Sequence, residues 1–326
     1  MKTSLRWLVP SSQKLVAFLQ HQLGGEHSGK SLRKAMEANL CRVNGRVERF
    51  GSSTVERGDV VELAPSWKSI LSPNLSGFET LYEDSFLKIV NKPAGWVCDA
   101  QEALRSFGPG WHLVHRLDKD TTGLLLVAKG TASKNRFMEL FEKRSILKTY
   151  LALVDGIPSE MKGTRQSFLR KKGTFQGQTI WGSGLNGLTA ITHWKLLAKG
   201  RSASLIECEP ETGRTHQIRV HLSEMGHPIL VDRQYAKQFR CPLFISRPLL
   251  HAYRLQFSHP FLEKEIDLIA PLPVDIRECL LQLGMQMGQT GELAGKKQQN
   301  HAGNECHGDE QAEEIEQSAH IVHQTC

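Results

Sequence analysis

The 326-residue sequence contains no run of about 18 apolar residues, so no membrane-spanning helix is expected. Its first residues, MKTSLRWLVPSSQKLVAFLQ, hold neither a long apolar core nor a small-residue cleavage site, and no secretory signal is read there. The seven cysteines (Cys41, Cys98, Cys208, Cys241, Cys279, Cys306 and Cys326) are odd in number, scattered and without a close CxxC pair. A disulfide framework and a structural zinc are therefore not expected, and a reduced, cytoplasmic setting is. Regular βαβ alternation and internal repeats are missing as well. Helix and strand signals mix irregularly, which argues for an α+β chain around a mixed, largely antiparallel sheet.

What the chain does have is unevenly placed positive charge. The formal net charge is +7, from 41 Lys+Arg and 34 Asp+Glu. Residues 284–326 hold two Lys against seven Asp/Glu, which leaves +12 on residues 1–283. Residues 1–70 alone carry eleven Lys/Arg and six Asp/Glu. A basic body of this kind suits a polyanion, most commonly nucleic acid, although charge alone still allows a merely soluble basic enzyme.

Leu15, Phe18, Leu19 and Leu23 have helical spacing that stops at Gly24-Gly25, and Ser28 to Met36 reads as a second helix with Arg33 and Lys34 on its polar side. Asn44-Gly45 within Cys41–Val47 signals a tight hairpin, and Gly58-Asp59 turns the chain into a short strand over Val60–Leu63. Residues 1–66 are thus expected as one compact unit and residues 67–78 as a linker rich in Ser, Pro and Asn. Residues 79–283 form a larger domain, with strands at Leu87–Val90, Lys148–Val154, Ile191–Leu197, Ala203–Glu207 and Leu250–Phe257 and an amphipathic helix from Thr131 to Arg144. Residues 284–326 read as a disordered acidic tail. Its His301, Cys306, His307, His320, His323 and Cys326 match no metal-ligand template, and no metal is assigned.

Helix, basic helix and then the Val43-Asn44-Gly45 and Gly58-Asp59 turns resemble the RNA-binding domain first described in ribosomal protein S-four. The resemblance implies RNA contacts through Arg33, Lys34, Arg42 and Arg46. The Gly24-Gly25-Glu26-His27 insertion depart from that pattern, as does Leu40-Cys41, where such domains often carry Gly.

Two polar clusters carry the chemistry. In HRLDKDTTGLLLV, residues 115–127, charged groups run directly into an apolar block. Read as extended chain entering a buried strand, it places Arg116 and Asp118 on one side and His115 and Leu117 on the other. Asp118 and Asp120 would then lie about 7 Å apart on one face. In ETGRTHQIRVH, residues 211–221, a Thr-Gly-Arg-Thr turn leads into a helix that Thr215 could cap. Arg219 shares a face with His216 and Ser223, and a helix start with Arg and Thr donors favours an anion.

Together these clusters resemble the signature motifs of RNA pseudouridine synthases of the RluA type. The resemblance spans residues 80–275 and includes NKPAG (91–95), KTYLALVDG (148–156), GLTAITHW (187–194), GHPILVDRQY (226–235) and RPLLHAYRLQFSHP (247–260). It implies the synthase fold, a covalent role for Asp118 as nucleophile on the target uridine, and Arg219 as its paired cation. It implies Tyr150 stacking on the target base and moving a proton, Arg116 contacting RNA and flipping the base, and Leu255 lining the uracil pocket. Strand alternation puts Lys148 on the same face as Tyr150, where an ammonium could hold phosphate beside the ring. Arg214, in the turn before the Arg219 helix, is a further substrate-binding candidate.

Isomerising uridine gains and loses no atoms, so neither a cofactor nor an energy source is expected. The expected partner is RNA, ribosomal from the large subunit or else transfer RNA, and the expected state is a monomer. Three departures bear on substrate choice: Thr122 stands where Ser is usual, Val231 replaces a common Gly, and Trp96-Val97-Cys98-Asp99 opens a segment that looks shortened. Two other readings stay open at this point. A glycosidase or nucleosidase would use Asp118 with Asp120 or Glu211, and a non-catalytic RNA-binding or assembly factor would need none of them.

Overall fold

A computed structural model describes residues 4–64, 67–68, 78–175, 178–236, 239–241 and 243–285 of the chain. The tail reading, with its His and Cys residues, falls on residues outside that set from 286 onward, as does linker segment 69–77.

The N-terminal unit runs β1 (Leu5–Leu8), β2 (Gln13–Lys14), α1 (Leu15–Gln22), α2 (Gly29–Glu37), β3 (Cys41–Val43), β4 (Arg46–Val47), β5 (Thr54–Val55) and β6 (Val60–Leu63). Ser28 starts α2 by accepting a hydrogen bond from the Ser31 amide at 3.2 Å. Leu15, Phe18 and Leu19 of α1 and Leu32, Ala35 and Met36 of α2 pack into one core with Val61 and Leu63 of β6. Asn44 and Gly45 both take positive φ, 52° and 76°, as the β3–β4 turn requires. β1 precedes the helices and completes the sheet in the order β1-β6-β3-β4. Trp67, 1% exposed, belongs to the same core, so the unit extends past residue 66.

The larger domain follows with β7 (Glu79–Glu83), β8 (Leu87–Lys92), α3 (Ala100–Phe107), β9 (Trp111–Leu113), β10 (Thr122–Lys129), α4 (Gly130–Glu142), β11 (Leu147–Asp155), β12 (Lys162–Phe175), β13 (Gln178–Ser183), β14 (Leu188–Lys199), β15 (Ala203–Pro210), α5 (Gln217–Glu224), β16 (Leu250–Ser258), β17 (Glu265–Ile269) and α6 (Val274–Gln282). Its sheet has the order β13-β12-β14-β15-β11-β16-β10-β8-β7, with β17 added to β16 and β9 to β10. All of these pairs are antiparallel except β10 with β16. Met285, 3% exposed, still packs in the core under α6, so the packed body reaches at least two residues beyond 283.

The parallel contact lasts only two residue pairs, Thr122 with His251 and Gly123 with Ala252. Gly123 has φ +106°, and a Cβ there would lie 2.1 Å from the Ala252 carbonyl oxygen, so only glycine fits. Beyond it β10 leaves β16, and His115 Nε2 accepts the Leu126 amide at 2.9 Å. The apolar run Leu124–Ala128 is buried throughout, which is why it lacks alternation. β12 escaped the sequence reading because it is long, polar and solvent-facing along much of its length, and the short, half-buried β13 escaped with it.

Two glycine strings need their structural context. Residues 24–31, GGEHSGKS, and residues 182–187, GSGLNG, spell the phosphate-loop and dinucleotide patterns. The first joins helix α1 to helix α2, and the second connects β13 to β14, two strands that both pair with β12. Neither has the strand–loop–helix setting that aims backbone amides at phosphate.

Three imidazoles are fastened inside the domain. His221 bridges Thr192 Oγ1 at 2.9 Å and Ser167 Oγ at 3.0 Å, and His251 Nδ1 meets Thr122 Oγ1 at 2.8 Å. Burial pushes the pKa of His115 down to about 3 and those of His221 and His251 to about 4. The unfolded chain therefore binds protons below about pH 6.5 that the folded chain refuses, so stability falls as pH drops from there toward 4. Each imidazole contributes up to about 1.4 kcal/mol per pH unit. Urea midpoints are expected to fall between pH 7 and pH 5, less steeply in His115→Gln; pH-independent midpoints would contradict this reading.

Candidate active site

The loop between β9 and β10 carries Arg116, Leu117 and Asp118, and buried contacts fix it. Lys92, at the end of β8, is 0% exposed and donates from Nζ to the carbonyls of Pro93 at 2.9 Å, Trp96 at 3.0 Å and Lys119 at 2.9 Å. The Gly95 amide donates to the same Lys119 carbonyl at 2.9 Å, and Cys98 Sγ accepts the Leu117 amide at 3.3 Å. A turn then closes from the Thr121 amide to the Asp118 carbonyl at 3.1 Å. The NKPAG turn and the Asp118 loop therefore hold each other. Burial pulls the Lys92 pKa down to about 8, against the charges of Cys98 and Asp120.

This segment is an irregular loop and not a strand, so strict alternation does not govern it. Leu117 is nonetheless buried, His115 points to the β10 backbone and Arg116 is exposed. Asp120 sits in the turn, its carbonyl accepting from Arg247 at 3.0 Å, and the two-carboxylate face inferred from alternation lapses.

Helix α5 supplies the opposing cation. Thr215 is not its cap: His216 takes the N-cap position in the left-handed region, φ 57°, with no side-chain cap bond. The preceding loop is fastened instead by buried Gln217. Its Oε1 accepts from Thr212 Oγ1 at 2.6 Å and the Arg214 amide at 3.0 Å, and its Nε2 donates to the Ile191 carbonyl at 2.9 Å.

Arg219 Nη1 donates to Asp118 Oδ2 at 3.2 Å. Its Nε and Nη2 grip Asp232 through two bonds of 2.6 and 2.8 Å, and Nη2 also donates to Gln234 Oε1 at 2.7 Å. Burial opposes the charge on Arg219, but the hydrogen bonds and charge of Asp232, with that of Asp118, outweigh it and raise its pKa. Asp232 is 1% exposed at its side chain and Asp118 20%, so the buried carboxylate fixes the guanidinium and the accessible one receives its remaining donor. His216 lies alongside, Nε2 3.9 Å from Asp118 Oδ1 and Nδ1 2.7 Å from the Tyr235 hydroxyl. Burial lowers its pKa despite the nearby Asp118 charge, which keeps the ring neutral.

Two cavities meet at Asp118. One of about 450 Å³ passes over Val97, Cys98, Trp181 and Gln234, and a recess of about 90 Å³ is walled by Tyr150, Ile218 and Leu250. Arg116, Asp118, His216 and Arg219 line both. Tyr150 is held as a neutral phenol: burial raises its pKa, and the Asp118 charge adds to this. Arg214 lines the recess and donates from Nε to the Thr189 carbonyl at 3.1 Å.

Four expected residues sit elsewhere than the sequence suggested. β11 keeps its alternation, since the extra residue opposite Thr149 and Tyr150 is Tyr253 of β16, yet Lys148 lines neither of the two cavities at Asp118. Lys148 borders a separate cleft with Arg144, His193 and Glu211, where burial lowers its pKa. Glu211 is engaged there by His193 at 2.7 Å and Arg144 at 3.3 Å, away from Asp118. Leu255 is 2% exposed and packs among Leu87, Leu124 and Phe137 in the core, while Leu250 supplies the apolar wall of the recess. Arg33, Lys34 and Arg46 are exposed, but Arg42 is buried against the larger domain, donating to the Leu243 carbonyl at 2.8 Å.

Sequence reasoning left Lys92, Asp232, Gln234 and Tyr235 without roles. A buried Arg219 needs carboxylate partners, and that requirement was the only signal for Asp232.

This geometry has known counterparts. Residues 87–224 match the family model described as RNA pseudouridylate synthase. The chain is 33% identical over 302 residues to the ribosomal large subunit pseudouridine synthase C of Vibrio cholerae, covering 84% of this chain and 94% of that one. The chain belongs to the RNA pseudouridylate synthase family. Another relative of this synthase, the ribosomal large subunit pseudouridine synthase D of Zymomonas mobilis, is 36% identical over 226 residues, 61% of this chain and 70% of its own. Among solved structures, human RNA pseudouridylate synthase domain containing 4 superposes with a TM-score of 0.54 at 28% identity, covering 64% of this chain and 94% of that one. Membership makes the chain an isomerase.

The departures from the family pattern have local explanations. Asp99 caps α3 by accepting the Glu102 amide at 2.8 Å, and Trp96 packs edge-on against Phe78 with ring centroids 5.1 Å apart. Val231 adopts φ +66°, the region glycine would favour, at a cost of about 1–2 kcal/mol. In the synthase this turn delivers Asp232 to Arg219. Asp232→Asn removes the charge that holds the guanidinium, and turnover is expected to fall about 100-fold through lost aim. Single-turnover rates on substrate RNA check this; a rate within twofold of wild type would show that Asp118 is aimed without Asp232.

Proposed function

We propose that this synthase isomerises uridine to pseudouridine in large-subunit ribosomal RNA, with Asp118 as the nucleophile. The observation that carries the reading is the arrangement of Asp118 opposite a buried Arg219 that a second carboxylate immobilises. The substrate class follows the two bacterial relatives, which are ribosomal large subunit pseudouridine synthases.

The chemistry requires breaking the N1–C1′ glycosidic bond, turning the uracil and joining C5 to C1′. C5 loses a proton and N1 gains one, so the product RNA is unchanged in mass. A cation-paired carboxylate attacks covalently without a cofactor. Tyr150, protonated and in the recess wall, offers a face for the extruded base, and a single uridine must leave its stack to reach Asp118. Arg116, exposed at the mouth of both cavities, contacts the displaced strand. Arg214 and the Leu250 wall orient the nucleotide. A hydrolase pairing Asp118 with Glu211 is disfavoured, because Glu211 is engaged in the neighbouring cleft.

The N-terminal unit is proposed as the S-four-like RNA-binding module of a cytoplasmic, monomeric enzyme, with Arg33 and Lys34 on the open face of α2. Arg33→Gln with Lys34→Gln is expected to reduce the slope of log affinity against log salt by one to two, measured by filter binding; an unchanged slope would remove α2 from the interface.

The activity test uses transcripts carrying tritium on uracil C5. Wild-type protein releases tritium from large-subunit ribosomal RNA and leaves the chain intact, while Asp118→Ala releases none. Release from transfer RNA alone would move the substrate class, and release by Asp118→Ala would sink the nucleophile assignment.

A further inference from the structure

The Val231–Asp232–Arg233 turn serves two places. Asp232 grips Arg219, while Val231 and Arg233 line a different cavity, of about 610 Å³, at the junction with the N-terminal unit. That unit contributes Asn39, Arg42 and Arg46, and the body contributes Arg233, Phe239 and Arg240. Four guanidinium groups thus face one space, and no Asp or Glu is among its described lining residues.

These cations lack full partners. The Nε atoms of Arg42 and Arg233 are buried without a hydrogen-bond acceptor. Arg42 lies 4.1 Å over the Phe244 ring and Arg233 5.8 Å from that of Phe239, contacts that steer a guanidinium without neutralising it. Arg49, beside them with Nε 2.8 Å from Asn39 Oδ1, has its pKa pushed down to about 10 by burial and by the Arg233 charge. Of the nearby carboxylates, Glu62 acts on Arg42 from outside the lining, and Asp155 is taken up by the backbone amides of Arg240 at 2.9 Å and Cys241 at 3.0 Å. That bond sets the Arg240 loop. Gly156 leaves room for it, since a Cβ there would lie 2.7 Å from Arg240 Nη1.

Buried, unpartnered N–H groups on crowded cations call for an anion with several acceptor oxygens. A planar fork of donors matches the two non-bridging oxygens of a phosphodiester, and a running strand brings further phosphates toward the remaining forks. We propose that this junction cavity binds a phosphodiester of the RNA substrate, at a site separate from the Asp118 cleft and built jointly by the N-terminal unit and the synthase body. The inference rests on RNA as substrate but not on which RNA. Seating one phosphate here registers the strand against both units at once, one residue from the carboxylate that aims Arg219.

The test removes the two exposed arginines, Arg46→Gln with Arg240→Gln, and keeps Arg42 and Arg233, which pack the junction. A charge-matched control, Arg136→Gln with Lys143→Gln, changes α4 instead. Affinities for a large-subunit ribosomal RNA transcript and for transfer RNA are measured across sodium chloride concentrations. The cavity variant is expected to lose at least about fivefold in affinity at low salt, with the salt slope reduced by one to two, while the control changes little. Equal losses in both double variants would reduce the cavity to general basic surface and overturn the proposal. Inorganic pyrophosphate that raises the melting temperature of wild type but not of the cavity variant, with RNA affinity unchanged, would assign the site to free phosphates and overturn it too. A wild-type preference for transfer RNA, with the cavity variant weakened on it as expected, would sink the ribosomal substrate and leave the cavity assignment supported.

Discussion

One guanidinium holds the centre of this molecule together. Arg219 is buried between Asp232, which takes two of its donors, and Asp118, which takes one. A buried arginine with a single partner would be costly; two carboxylates and Gln234 satisfy it, and its charge is retained. The elements that bring these residues together arise far apart in the chain: the β9–β10 loop, helix α5 and the strained turn at Val231. Much of the surrounding architecture exists to keep them in register. Lys92 pins the first, Gln217 the approach to the second, and Asp155 the loop that follows the third.

Local periodicity made a good part of this visible in advance. The α1 and α2 helices, the Asn44-Gly45 hairpin, the buried block at Leu124–Ala128 and the β11, β14, β15 and β16 strands all lie where spacing placed them. Asp118, Tyr150, Arg116 and Arg219 were identified by motif, and they converge on one pair of cavities. What spacing could not supply was any departure from regular geometry. Lys148 opens onto a neighbouring cleft and not the recess, and a left-handed His216 took the place expected for Thr215 as helix cap. Leu255 and Leu250 are both apolar residues of β16, and only the three-dimensional arrangement decides which one faces the recess. Asp232 and Lys92 were left without roles for a related reason: the partner of Asp232 is 13 residues away, and Lys92 bonds only to carbonyls, one of them 27 residues away.

The arginines tell a similar story at the surface. The family resemblance implied RNA contacts through Arg33, Lys34, Arg42 and Arg46 together. The fold divides them: Arg33 and Lys34 look outward from α2, while Arg42 turns inward against Leu243 and Phe244 of the larger domain. Charge that looked uniform in composition thus splits into an exposed face and a lined hollow, and the two have different dielectric surroundings and different demands for a counter-ion.

Gly123 has a mechanical consequence. The large sheet is stitched across β10 and β16 by two residue pairs only, so its halves share a narrow backbone seam backed by side-chain packing among Leu124, Phe137, Leu255 and Phe257. Asp118 is attached to one half and Arg219 to the other. Side-chain bonds cross the same seam, from Arg247 to the Asp120 carbonyl and Thr122 and between Thr122 and His251, as does the 3.2 Å contact of Arg219 with Asp118. Asp118 and Arg219 therefore face each other across the narrowest backbone joint of the sheet, and the glycine that lets the two strands touch sets how close they come.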